Sequence, residues 1–189
     1  MNRVEIIAAL LGLINVALVA RRSLWNYPFG IAMVTLYAGI FYEERLYSDA
    51  MLQLFFLAAQ FYGWWNWSRT KAHEGAVVVE RLSDGERAAW AAGMIAIILL
   101  WGTAMARLTD ASYPYLDASA AIPSVVAQIL QSQCRIESWV LWILVDLLSI
   151  GLYLAKGLYP TAALYGIFLG MAMWGLIAWR GAARQAVAA

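Results

Sequence analysis

The sequence predicts an all-α polytopic membrane protein whose seven transmembrane helices form two parallel three-helix repeats joined by a linker helix, a 3+1+3 plan. Three observations predict it: an apolar composition, seven apolar runs of spanning length, and a series of self-matches at an offset of 112 residues. Of 189 residues, 63% are apolar and 13% charged, against roughly 45–50% and about 25% in an average soluble domain. A soluble fold of this size would leave much of that apolar surface in water.

A helix crosses a bilayer with about 20 mostly apolar residues. Such runs occupy residues 4–20, 24–42, 46–67, 88–106, 117–133, 138–155 and 158–179, with a polar stretch at 68–87. The fifth run is diluted by Ser119, Ser124, Gln128 and Gln131. Arg3 ahead of an apolar run has the form of a signal peptide, but that run has a counterpart later in the chain and is read as a span.

The offset lays Leu46-Tyr47 on Leu158-Tyr159, Ala50 and Leu52 on Ala162 and Leu164, and Phe56-Leu57 on Phe168-Leu169. Gly63 falls on Gly175 and Trp67 on Trp179. Spans one to three thereby overlie spans five to seven. Three helices reverse the chain, so a second triplet parallel to the first needs one helix between, which the fourth span supplies. The predicted organisation is a first repeat at 1–67, a cytoplasmic loop plus linker helix at 68–116, a second repeat at 117–180 and a cytoplasmic tail at 181–189. Repeats of this kind are a transporter plan, with substrate expected near mid-membrane at the repeat interface.

With loops alternating sides, one side gathers Arg21, Arg22, Arg69, Lys71, Arg81, Arg87, Arg135, Arg180 and Arg184, the other Arg3, Arg45, Arg107 and Lys156. The excess of basic residues marks the cytoplasmic side, which puts the N-terminus outside and the C-terminus inside. A net charge of +1 argues against a nucleic-acid partner. One cysteine, Cys134, and one histidine, His73 in the polar stretch, leave no ligand set for zinc or haem. Retinal would need a lysine in the last span, which has none, and no GxxxxGK[ST] loop is present. No cofactor is expected, and a membrane hydrolase lacks its parts.

Most acids, Glu5, Glu43, Glu44, Asp49, Asp117 and Glu137, lie at span ends or in loops. Asp146 lies at the middle of the sixth span, where insertion costs about 2.5–3.5 kcal/mol and a cavity or partner is expected. A structural hydrogen bond, or a protonated Asp, between helices is the plainer explanation of it. Trp139, Trp142, Asp146, Ser149 and Tyr153 follow spacings of three and four and share one helix face. Two indoles beside a carboxylate suit a flat cationic ring. The third span lines up Asp49, Gln53, Phe56, Gln60 and Trp64, and the fifth Ser124, Gln128 and Gln131, amides that serve equally as substrate contacts or as interhelical glue. Pro123 offers a bend, and Gly166 with Gly170 reads as close helix packing. Trp139, Trp142 and Asp146 are the first candidates for substrate contact, followed by Gln53, Gln60, Gln128 and Tyr153.

These residues resemble the PnuC family of bacterial vitamin transporters along nearly the whole chain. The family pattern W-x-x-W-x-x-x-N/D is met by Trp139, Trp142 and Asp146; 46–67 is similar to its third helix and Trp25-Asn26-Tyr27-Pro28-Phe29-Gly30 to the start of its second. The resemblance implies a 3+1+3 fold like a full-length SWEET transporter with a different helix order within the repeats, and homotrimers in the inner (cytoplasmic) membrane's lipid bilayer. It further implies facilitated diffusion of an unphosphorylated vitamin, often nicotinamide riboside, trapped afterwards by a cytoplasmic kinase. Asp146 stands where nicotinamide riboside carriers of the family have Asn. An ionised Asp146 favours a permanent cation, nicotinamide riboside or thiamine, over neutral riboflavin. Proton-coupled uptake through Asp146 is the remaining alternative.

Overall fold

The computed structural model describes residues 3–43, 45, 47–109, 113–155 and 157–188. Glu44, Leu46 and Lys156, used above as a span-end acid, a repeat match and a loop charge, lie outside the described residues. The described chain is helical: α1 (Arg3–Ala20), α2 (Asn26–Glu43), α3 (Tyr47–Glu74), α4 (Asp84–Leu108), α5 (Pro114–Ser132), α6 (Glu137–Ala155) and α7 (Tyr159–Ala188). Four of these, α1, α4, α6 and α7, are long and apolar enough to cross a membrane. The amides, hydroxyls and tyrosines along α2, α3 and α5 dilute their apolar character.

Several helix ends differ from the apolar runs. α3 continues past Trp67 to Glu74, so Arg69, Lys71 and His73 are helical rather than loop residues. It stops at Gly75, whose φ of +72° suits the left-handed position after a helix. α4 starts ahead of its apolar run because Ser83 and Glu86 form a capping box: the Ser83 hydroxyl accepts from Glu86 N–H, and the Glu86 carboxylate accepts from Ser83 N–H at 2.8 Å. α7 likewise runs through the expected tail to Ala188. Apolar runs end where lipid would end, whereas helices end where backbone groups find caps.

The turns share a geometry. After α1, Ser23 N–H donates to Leu18 O at 2.9 Å with Arg22 left-handed at φ 56°; after α5, Arg135 N–H donates to Leu130 O at 2.8 Å with Cys134 at φ 59°. The helices that follow open on Asn26 and Ser138, whose side chains donate to Ser23 O and Arg135 O, each at 2.7 Å. After α2, Arg45 (φ 60°) donates to Tyr42 O at 3.1 Å; after α6, Gly157 (φ 72°) donates to Leu154 O at 3.1 Å. Every one of these equivalences falls at the offset of 112.

The chain forms two compact units, Met1–Val79 with Ser132–Cys134 and Trp174–Ala189, and Glu80–Gln131 with Arg135–Met173. In the first, α2 packs against both α1 and α3. Trp67 and Trp179 are fully buried with ring centroids 5.7 Å apart, and Trp179 Nε1 donates to Val19 O at 3.1 Å. In the second, Leu82, Val126 and Leu130 form a core with Trp90, Met94 and Leu141 against it. Residues 80–87 are fastened by Glu80 to Arg135 at 2.8 Å, Arg87 to Glu137 at 2.8 Å and Ile136 N–H to Glu80 O at 3.0 Å. α5 runs unbroken through Pro123. The close packing expected at Gly166 and Gly170 is not found: a Cβ at either meets nothing within 4 Å, because both face outward.

Gly102 on α4 is where close approach does occur, since a Cβ there would sit 2.5 Å from the Tyr115 ring. Gly102→Ala is expected to destabilise by about 1–3 kcal/mol through overpacking. Gly93→Ala, with nothing within 4 Å, is expected to be neutral or to stabilise by up to about 1 kcal/mol through helix propensity. Thermal unfolding of both variants in detergent checks the contrast, which vanishes if Tyr115 swings away freely.

Candidate functional site

α6 carries the strongest constellation. Its spacing puts Trp139, Trp142, Asp146, Ser149 and Tyr153 on one side, and burial follows that side: Trp139 is 1% exposed, Asp146 5% and Ser149 4%. Leu144 and Leu147 on other faces are 43% and 54% exposed. Trp142 is half-buried, and its indole Nε1 donates to Gln131 Oε1 on α5 at 2.8 Å, which fixes the plane and tilt of the ring. Gln131 therefore holds a candidate site residue in place.

Asp146 stands apart from its neighbours on this face. Among the described residues no hydrogen bond or ion pair reaches its carboxyl. A carboxylate so deeply placed is costly unless something compensates it.

Tyr153, one of the second candidates, joins an aromatic group: its ring centroid lies 5.3 Å from that of Tyr165 on α7, and Tyr165 lies 6.0 Å from Phe168. Gln128 on α5 is buried at 6% exposure, as is Ser124 at 7%. Trp139, Trp142, Asp146, Tyr153 and Gln128 all belong to the second compact unit. Gln53 and Gln60 belong to the first.

In that first unit, Gln60 is 4% exposed and points at Gly30: a Cβ on Gly30 would lie 2.7 Å from both Gln60 Nε2 and Asn15 Nδ2. Asn15 Nδ2 donates to Asn26 O at 2.7 Å, and both asparagines are buried. Gln53, two turns before Gln60 on α3, is half-buried. Asn15 and Gly30 were missed by sequence reasoning. The available signal was Asn15 itself, an amide well inside an otherwise apolar span. Among the described residues no group of three or more His, Cys, Asp or Glu side chains could hold a metal.

The chain matches the family model described as "Nicotinamide mononucleotide transporter" over residues 2–181. It is 28% identical to the nicotinamide riboside transporter PnuC of Escherichia coli (strain K12), with 96% of this chain and 87% of that one covered. It is 33% identical to the riboflavin/roseoflavin transporter RibM of Streptomyces davaonensis, with 93% and 83% covered. Among solved structures it resembles a crystal structure of the vitamin B3 transporter PnuC, with a TM-score of 0.78, 27% identity, and 95% and 81% of the two chains covered.

Since nothing described compensates the Asp146 carboxylate, Asp146→Asn is expected to stabilise the ligand-free protein, by about 0.5–2 kcal/mol in the manner of other stability-for-function exchanges. Thermal midpoints in detergent measure it; a lower midpoint would reveal a group that holds the charge.

Proposed function

The chain belongs to the PnuC family of membrane transporters, and from that premise we propose that it carries nicotinamide riboside across the inner membrane by facilitated diffusion. The observation that carries the choice is Asp146, a deeply buried carboxylate with no described partner on the same helix side as two indoles. Nicotinamide riboside brings a permanent pyridinium, flat enough to stack on indole and charged to compensate the carboxylate. Trp142, half-buried and held by Gln131, supplies the preset stacking surface, and Trp139, packed into the protein on the same helix side, backs that side of the site. Tyr153 and Gln128, in the same compact unit, are assigned to the ribose hydroxyls and the carboxamide, groups that an amide and a phenol can bond without a further buried charge.

Seven spans complete this reading, with the N-terminus outside, the C-terminus inside and a 3+1+3 order of parallel repeats. The paired turns at Arg22 and Cys134, and at Arg45 and Gly157, support the repeat. The excess of basic residues on one side supports the orientation. A homotrimer embedded in the bilayer, with a cytoplasmic kinase that phosphorylates the vitamin after entry, is the proposed setting. A facilitator needs such trapping to accumulate its cargo.

The 33% identity to a riboflavin/roseoflavin transporter favours a second reading, riboflavin. A neutral isoalloxazine would leave Asp146 uncompensated, which ranks it below nicotinamide riboside and below thiamine, a permanent cation. Calorimetric titration with the three vitamins separates them. Asp146→Ala is expected to weaken nicotinamide riboside binding well over tenfold, more than about 1.4 kcal/mol, while the protein stays folded. Unchanged affinity returns Asp146 to a structural role. In proteoliposomes, uptake that only equilibrates under an imposed pH gradient marks a facilitator, whereas accumulation marks proton coupling through Asp146.

A further inference from the structure

The ends of α1 and α7 in the first compact unit carry charges that transport chemistry does not use. Trp179 Nε1 donates to Val19 O, so the end of α1 lies alongside α7. Arg22 is occupied there, its Nη1 donating to Val77 O at 3.1 Å. Arg21 is not: its guanidinium lies over the Trp174 ring, 5.8 Å from the centroid. Among the described residues no ion pair reaches Arg21 or Arg184. α7 contains no acid, and the acid of α1, Glu5, lies in its first turn at the far end.

Both charges stand at the head of outward apolar stripes. Ile7, Leu10 and Ile14 are 52%, 53% and 43% exposed and share a face of α1 by spacings of three and four, and Arg21 follows in the turn directly after the helix, seven residues past Ile14. On α7, Trp174, Ile177, Gly181 and Arg184 succeed one another by three, four and three; Ile177 is 69% exposed, and nothing lies within 4 Å of a Cβ on Gly181. Basic residues near a helix C-terminus complement its dipole. The dipole does not account for a guanidinium laid on an exposed indole where two apolar stripes converge.

We infer that Arg21, Trp174 and Arg184 form a headgroup site for an anionic phospholipid whose acyl chains lie along Ile14 and Leu10. Guanidinium matches phosphate by paired N–H donors. An indole is at home at headgroup depth, and the arginine stems cover apolar surface while their heads stay polar. A soluble phosphate or nucleotide would satisfy the charges and leave the stripes unused, which is why the site is assigned to a lipid. The assignment rests on the chain being embedded in a bilayer and is independent of which vitamin it carries.

The test titrates the purified full chain in a neutral detergent with phosphatidylglycerol or with phosphatidylcholine of the same acyl chains, bound lipid being counted by native mass spectrometry. Phosphatidylglycerol is expected to bind more tightly, and the preference to shrink at high salt. Arg21→Gln combined with Arg184→Gln is expected to weaken phosphatidylglycerol about thirtyfold, each interfacial arginine being worth roughly fivefold, with phosphatidylcholine unaffected. Arg107→Gln, on the exposed end of α4, is expected to leave both lipids as they were. The inference is overturned if the double variant, unfolding at the wild-type temperature, keeps its phosphatidylglycerol affinity. It also fails if the two lipids bind alike, or if inorganic phosphate displaces phosphatidylglycerol at comparable concentrations.

Discussion

A polar group carried into hydrocarbon has to find its partner inside the protein, because lipid offers none. Much of this chain's architecture answers that constraint. Helix carbonyls at the ends of α1, α5 and α6 are closed by backbone donors across tight left-handed turns. Asn15 spends its amide on Asn26 O, and Trp179 its indole on Val19 O. Ser132 fits between helix segments in the same way, its hydroxyl donating to Ala59 O at 3.2 Å while its own carbonyl accepts from Asn66. Asp146 stands apart from these groups: among the described residues no hydrogen bond or ion pair reaches its buried carboxyl.

The helix count and the apolar cores of α1, α4, α6 and α7 were readable from hydropathy, since a bilayer-length run needs no tertiary context to be recognised. The face of α6 was readable too, because the 3.6-residue period gathers Trp139, Asp146 and Ser149 whatever packs against them. Helix ends were not. The capping box at Ser83 and Glu86 and the left-handed stop at Gly75 are short-range backbone events that the hydropathy of a long window averages away. Nor could the partner of Trp142 be read: Gln131 lay in a strip of amides, and only the packing of α5 against α6 selects it over Gln128 as the acceptor. Gly166 and Gly170 mark the opposite failure. Their spacing suits close packing, but spacing says nothing about which way a face points.

The offset of 112 separates what the two parts of the chain share from what they do not. Backbone geometry is shared: Arg22 with Cys134, Arg45 with Gly157, and the opening residues Asn26 with Ser138 perform matching roles. Buried aromatics follow, Tyr27 with Trp139 and Trp67 with Trp179. Side-chain chemistry parts company one turn further in. The position equivalent to Trp142 is Gly30, its space taken by the amides of Asn15 and Gln60, and the position equivalent to Asp146 is Val34, 1% exposed. The indole and carboxylate pair is thus confined to the second set, and the first offers amides at the corresponding depth.

Cys134 adds a practical property to its place in the turn. It is the sole cysteine of the chain, 3% exposed, and held in a left-handed conformation that a side chain adopts at some cost. A thiol sealed in this way reacts with an alkylating reagent only while the reversal between α5 and α6 is open. The native chain therefore carries a single covalent clock at one defined turn, with no engineered label to disturb it. Its rate, followed with and without cargo, reports how often that reversal comes undone.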